Sequence, residues 1–264
     1  MPEGDSVYRL AARLRAAALG AEVASGEVRS GPAAGASLGG ARIDDYDTHG
    51  KHLLTRFDTG WTLHTHLLMQ GSWTITANGR TLPRSRQELV RIRMRLQDGR
   101  TVWGIEMPVV DLVRTPDERT VVGHLGPDPL RGDWDERAAV ARLSADGSRP
   151  VVAALLDQRL LAGLGNLWAN EVCFLRGLWP WRPIGDVDVP GLVMTAARGL
   201  RSSVTVSGMF QTTTGNTRRG ERHWVVGRAG RPCLRCGTPI RAKAEVAGDP
   251  EQRRTWWCPH CQPQ

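Results

Sequence analysis

Lysine is nearly missing from this 264-residue chain: Lys51 and Lys243 are the only two among 35 basic residues. The other 33 are arginines. With abundant alanine and glycine they carry the mark of a GC-rich genome, so arginine number alone is weak evidence for phosphate recognition. The scarcity does single out Lys51 as the only side-chain amine before residue 243. No run of 18 apolar residues occurs, which excludes a helix that spans a membrane. The N-terminus also lacks the pattern of a secretory signal, because Arg9, Arg13 and Arg15 interrupt its apolar positions. A soluble, cytoplasmic protein is expected. Cysteine is sparse as well. Four of the five fall in CLRC and CPHC near the C-terminus, and Cys173 stands alone in the apolar NEVCFLRGLW, where a buried structural thiol is expected.

What is present points toward polyanions. The formal net charge is +8 and the sequence pI about 10.0, a balance that attracts nucleic acid. A hydrophobic fraction of 41% supports sizeable cores, and the length allows two domains or one with an appendage. The opening MPEGDSVYRLAARLRAAAL is unusual in that an amphipathic helix begins almost at once. Val7, Leu10, Ala11 and Leu14 fall on one helical face, and Asp5 or Ser6 can cap it. Removal of Met1 would leave Pro2 with a free secondary amine beside the Glu3 carboxylate. An α-amine has a pKa of about 7.7–8.0 against about 10.4 for lysine, and a helix N-terminus lowers it further. The terminus itself is therefore a candidate working part.

Residues 21–40, rich in Gly, Ala and Ser, are expected to form a loop. From 41 to about 114 the hydrophobic period is two: Val90, Ile92, Met94 and Leu96 alternate with Arg91, Arg93 and Arg95, and Asp98-Gly99 supplies a turn. TPDERTVVGHLGPDPL marks a boundary. Helices are expected at 135–144, 150–158, roughly 167–177 and 189–204. Between the second and third, Gly163, Gly165 and Asn166 form a turn whose amides suit a DNA phosphate, although an ordinary helix-hairpin turn looks the same. Residues 205–231 read as a long exposed loop, either a linker or a mobile binding loop.

Cys233-x-x-Cys236 and Cys258-x-x-Cys261 are two thiolate pairs with the spacing of one structural Zn2+ site, all four positions filled by protein. His260 is expected to be a bystander. Between the pairs, AKAEV and RRTWW predict a β-hairpin carrying Arg253 and Arg254. Such a stapled hairpin serves either nucleic-acid or protein contacts.

Four stretches, in this order, resemble the formamidopyrimidine-DNA glycosylase/endonuclease VIII family: PEG after Met1, GKHLLTRF, LLDQRLLAGLGNLWANE, and HWVVGRAGRPCLRCGTPI with RRTWWCPHCQ. The MPEG opening looks like the endonuclease VIII branch. The resemblance implies an α+β fold: an N-terminal β-sandwich with a leading helix (1–125), a helical helix–two-turn–helix domain (126–225), and a zinc-finger β-hairpin (226–264). It also implies a DNA glycosylase/AP lyase of base-excision repair, acting as a monomer on damaged DNA. Pro2 would attack C1′ and form an iminium, and Glu3 would transfer protons. Lys51, Asn166 and Arg253 (rather than Arg254) would hold phosphates. Leu68, Met69 and Gln70 would fill the gap left by the everted nucleotide.

Three departures from the family pattern bear on substrate choice. Ser6 stands where Glu is common, GIEMPVVDLVRTPDER replaces the Arg-Phe loop of the formamidopyrimidine branch, and Arg159 replaces a lysine. Oxidised pyrimidines and abasic sites are therefore expected over 8-oxoguanine. The rival reading is a zinc-containing nucleic-acid-binding protein that kept the fold without the chemistry.

Overall fold

The computed structural model describes residues 2–206, 211–244 and 253–264. The chain divides into two units, Met1–Pro2 with Ser6–His124, and Glu3–Asp5 with Leu125–Gln264.

The first unit opens with most of helix α1 (Gly4–Ala18) and continues through eight strands: β1 (Val23–Val28), β2 (Ile43–His49), β3 (His52–Phe57), β4 (Trp61–His66), β5 (Ser72–Thr76), β6 (Val90–Leu96), β7 (Thr101–Ile105) and β8 (Val109–Arg114). Short helices α2 (Arg84–Gln87) and α3 (Arg119–Val122) complete it. The strands form two antiparallel four-stranded sheets, ordered β1-β6-β7-β5 and β2-β3-β4-β8. Residues of both sheets enclose one core, with Ile92, Met94 and Trp73 from the first, Tyr46, Leu53 and Leu63 from the second, and Val7, Leu10 and Leu14 of α1. The period-two pattern of β6 is the cause: its apolar residues turn inward and its arginines outward.

Strand β1 lies inside the segment expected to be a loop. Val23 and Val28, both fully buried, are its anchors, and it pairs with β6 from Val23↔Leu96 to Val28↔Ile92. Weak local propensity in VASGEV yields to pairing with an apolar neighbour strand.

The second unit holds α4 (Glu136–Ser144), α5 (Val151–Leu156), α6 (Asn166–Leu175) and α7 (Val189–Thr205), then β9 (Arg241–Lys243) paired antiparallel with β10 (Thr255–Trp257). Asp135 caps α4 by accepting from the Ala138 amide, and Asp188 caps α7 by accepting from Gly191. Trp168, Leu155, Leu164, Leu192 and Leu200 centre the helical core. Cys173 is fully buried within it, and burial pushes its thiol pKa up, as expected of a structural thiol. The tip of the β9–β10 hairpin, residues 245–252, lies outside the described residues, as do 207–210.

The segment that follows α7 is not a plain exposed loop. Fully buried Glu171 accepts from the amides of Trp224 (2.8 Å), Val225 (2.9 Å) and Val226 (2.9 Å) and from the Thr213 hydroxyl. Val225 packs with Phe174 and Ile240 in a small core beside Cys233 and Cys258. One buried carboxylate thus fastens a stretch that composition marks as linker.

Candidate active site

Glu3 is fully buried. Its Oε2 accepts from the amides of Gly165 (2.8 Å) and Trp168 (3.1 Å), and its Oε1 from that of Leu167 (2.8 Å). The free amides at the start of α6, expected to await a DNA phosphate, are therefore already taken by a carboxylate of the same chain. The underlying physics is unchanged: a helix N-terminus gathers orphan N–H groups and partial positive charge, which a carboxylate satisfies. Two glycines make the approach possible. A Cβ on Gly165 would meet the Glu3 carboxyl carbon at 2.5 Å, and one on Gly4 would meet the Gly163 backbone at 2.8 Å. The Gly4 amide donates to the Gly163 carbonyl at 2.8 Å. Asp5, also fully buried, accepts from Ser203 (2.5 Å) and Gln211 (2.7 Å). Half-buried Pro2 precedes three consecutive residues that are each pinned by hydrogen bonds.

Asn166 opens α6, and its Nδ2 donates to the Arg254 carbonyl at 2.9 Å. One turn on, Asn170 Oδ1 accepts from the Trp256 amide at 2.8 Å. The return strand of the hairpin hangs on these two asparagines, so Asn166, Arg253 and Arg254 share one locality. Asn170 was not singled out by the sequence; an Asn-x-x-x-Asn pair on one helical face was the available signal.

Four cysteine sulfurs, of Cys233, Cys236, Cys258 and Cys261, lie within 4.8 Å of one another, and Cys236 and Cys258 are 3.5 Å apart. A tetrahedral Zn2+ with Zn–S bonds of about 2.3 Å sets its sulfurs roughly 3.8 Å apart, so the cluster fits such an ion. Exposed His260 is not in the cluster.

In the β unit, half-buried Lys51 sits in the turn between His49 and His52, which face each other across β2 and β3. His52 pairs with His66 across β3 and β4, and Leu68 to Gln70 follow directly. Lys51 and the expected void-filling loop therefore share one end of one sheet. Leu68 is 46% and Met69 63% exposed, and Leu68 adopts φ +44°, rare for a branched residue. The Gly71 amide closes the turn onto the Leu67 carbonyl at 2.8 Å.

A chain of imidazoles supports this end of the sheet. Asp111 accepts from His64 Nδ1 (3.0 Å), and His64 Nε2 lies 2.7 Å from His52 Nδ1. An ionised Asp111 fixes the proton on His64 Nδ1, which makes Nε2 the acceptor for His52. The His52 ring meets His66 edge-on at 4.5 Å, and His66 Nδ1 accepts the Leu68 amide at 3.0 Å. Burial first, then neighbouring imidazoles, push the His52 pKa down to about 2. Burial, then the Lys51 charge and His64, push His66 down to about 4. His64 is also lowered by burial, against the pull of Asp111. Sequence reasoning passed over these histidines, although the alternation His64-x-His66 was visible in HTH. Asp111 lies on strand β8, within the stretch that replaces the Arg-Phe loop. Arg159 is exposed and paired with Asp157 at 2.7 Å.

Comparison with known proteins decides the family. The formamidopyrimidine-DNA glycosylase N-terminal domain matches residues 1–107, and the H2TH domain of the same enzymes matches 125–207. The chain belongs to the formamidopyrimidine-DNA glycosylase family. It is 42% identical to the probable endonuclease 8 2 of Streptomyces coelicolor, over 99% of this chain and 94% of that protein. It is 40% identical to the DNA-(apurinic or apyrimidinic site) lyase Nei2 of Mycolicibacterium smegmatis, over 99% of both. The crystal structure of the MutM (Fpg) protein of Thermus thermophilus superposes with a TM-score of 0.77 at 30% identity, covering 100% of this chain and 99% of that one. Within the family, relatives named endonuclease 8 match along nearly the whole chain, as the MPEG opening led us to expect.

Proposed function

We propose that this chain is a bifunctional DNA glycosylase and AP lyase of base-excision repair, with oxidised pyrimidines and abasic sites as its substrates. The Pro2 nitrogen attacks C1′ of the damaged nucleotide, and the base departs with a proton. The resulting iminium is an electron sink. It allows the C3′–O and then the C5′–O bond to break, leaving a one-nucleotide gap flanked by phosphates. The observation that carries this reading is the Glu3 carboxylate, buried and held by three amides, in the residue that follows Pro2 in the chain. Glu3 both fixes the terminus and handles the proton during base loss.

Lys51, Asn166 and Arg253 bind backbone phosphates, and Leu68, Met69 and Gln70 fill the void. Cys233, Cys236, Cys258 and Cys261 hold one structural Zn2+, which organises the hairpin and takes no part in the chemistry. The segments 1–125, 126–225 and 226–264 serve as catalytic, helical DNA-binding and zinc-hairpin parts. The protein works as a cytoplasmic monomer on damaged DNA.

The test is incubation with a labelled duplex carrying an abasic site or an oxidised thymine. Strand cleavage leaving phosphates on both sides of the gap supports the reading. Binding without cleavage of either substrate would favour a non-catalytic nucleic-acid-binding protein on the same fold.

A further inference from the structure

The segment fastened by Glu171 lines a cleft of about 280 Å3 with Arg219, Arg222, Arg228 and Arg231, and with His223. No carboxylate lines it. The nearest acid in sequence, Glu221, turns its Oε2 to the Asn216 side-chain amide at 2.6 Å. None of the proposed phosphate ligands is among the lining residues.

Arg228 is the unusual member, only 6% exposed. Its two terminal nitrogens donate to the carbonyls of Gly220 and Pro232 (the latter 2.7 Å), and its buried Nε has no hydrogen-bond partner. Among the described residues no carboxylate lies within ion-pair distance of it. A buried guanidinium is ordinarily paired with an anion, since desolvating an unpaired charge is costly. Here carbonyl dipoles hold the side chain in place while its charge stays uncompensated. Exposed Arg219 and Arg231 likewise have no ion-pair partner among the described residues, and the Arg231 guanidinium lies against Gly220. Arg222 is anchored through Nε to the Thr217 carbonyl at 2.9 Å. His223 Nε2 faces the Gln211 carbonyl at 3.2 Å, so that nitrogen carries the proton.

We propose that this cleft is a phosphate-binding site separate from the ligands aligned with the family. Planar guanidinium forks match the oxygens of a phosphate bidentately, and three of the lining arginines, Arg219, Arg228 and Arg231, have no carboxylate partner among the described residues, so a phosphate group would compensate their charge. The phosphate comes from the DNA backbone beyond the lesion or from the tail of a free nucleotide. The DNA source rests on the proposed repair function; the site itself does not.

The experiment uses the full-length zinc-loaded protein and the double variant Arg219→Gln/Arg231→Gln, both exposed positions, with melting temperature as the folding control. Inorganic pyrophosphate is titrated calorimetrically, and affinity for undamaged duplex is measured at several salt concentrations. Each lost phosphate contact makes the slope of log K against log salt shallower by about 0.9. A shallower slope in the double variant, by one to two such steps, establishes the site with DNA as its source. Pyrophosphate binding at least tenfold weaker in the variant with an unchanged slope establishes it with a free phosphate ligand as its source. An unchanged slope together with pyrophosphate binding that is absent from the wild type, or equal in both proteins, overturns the proposal. Cleavage of abasic duplex by the wild type is measured in parallel. Its absence would refute the proposed function while leaving the pyrophosphate result to decide the site.

Discussion

Replacing Glu3 with Gln should cost stability as well as turnover, and the size of the cost follows from the three amides that its carboxylate receives. Oε2 accepts two and Oε1 one, at 2.8–3.1 Å, in a fully buried setting. Hydrogen bonds to a charged group contribute about 1.5–3 kcal/mol each, and neutral ones about 1. A glutamine keeps one carbonyl oxygen, so it retains the Gly165 and Trp168 pair at best, in weakened form. Its amide nitrogen then confronts the Leu167 N–H, donor against donor, and the charge opposite the α6 dipole is gone. The sum is about 3 kcal/mol, which for a domain of 150–250 residues is roughly 6–12 °C in melting temperature at about 2–4 °C per kcal/mol. Scanning calorimetry of wild type and Glu3→Gln reads this directly. Below the variant's transition, duplex binding should be largely retained and base excision lost, with some cleavage spared at preformed abasic sites, where no base has to leave. A variant that melts within 2 °C of wild type would refute the claim that the carboxylate holds the head of α6.

Acid should destabilise the β unit before its carboxylates titrate. The folded pKa values of His52 and His66 lie near 2 and 4, below the ordinary 6.5, so the unfolded chain binds protons that the folded one refuses. Stability is full above about pH 6.5 and falls as pH drops toward 4, by on the order of 3 kcal/mol for His66 alone. Urea midpoints at pH 7.5 and 4.5 measure this, and a flat profile in that window would contradict the burial argument. Chelating the metal, or Cys258→Ser, should weaken DNA binding far more than it unfolds the β unit, because the cysteine hairpins are ordered locally by metal; loss of the whole circular-dichroism signal would show otherwise. Arg253→Ala should weaken binding to damaged and undamaged duplex alike and make the salt slope about one unit shallower. Loss of damage discrimination should instead follow changes at Leu68, Met69 or Gln70. A change in lesion preference at an unaltered slope would make Arg253 a base-reading or void-filling residue.

The parts of the fold that the sequence made legible are those written in local periods. The alternation Val90, Ile92, Met94, Leu96 gave β6, and the spacing of Val7, Leu10 and Leu14 gave α1. The two Cys-x-x-Cys knuckles gave the cluster, because each is a local geometry. What escaped were partners far apart in the chain. Nothing in PEGDS says that Glu3 meets the amides of residues 165, 167 and 168, or that Asp5 meets Ser203. Glu171 reads as one more acid on an apolar helix, yet it fastens a segment 42–55 residues away. The Asp111–His64–His52 chain needs the register of β3, β4 and β8, which no single strand reveals. Strand β1 was missed for the same reason, since its pairing partner lies about 70 residues on. Candidate residues chosen by resemblance fell into two localities, Lys51 with Leu68 to Gln70 on one sheet end, and Glu3 with Asn166 and Arg253 around α6.

The central claim is that the secondary amine of Pro2 is the nucleophile. Sodium borohydride reduction of the protein on abasic DNA, followed by peptide mass spectrometry of the covalent adduct, tests it most directly. The account predicts a single adduct on Pro2, lost when Met1 or any other residue is retained before it and strongly reduced in Pro2→Gly. An adduct mapped to Lys51, or full trapping by a protein shown to carry an extension before Pro2, would contradict it.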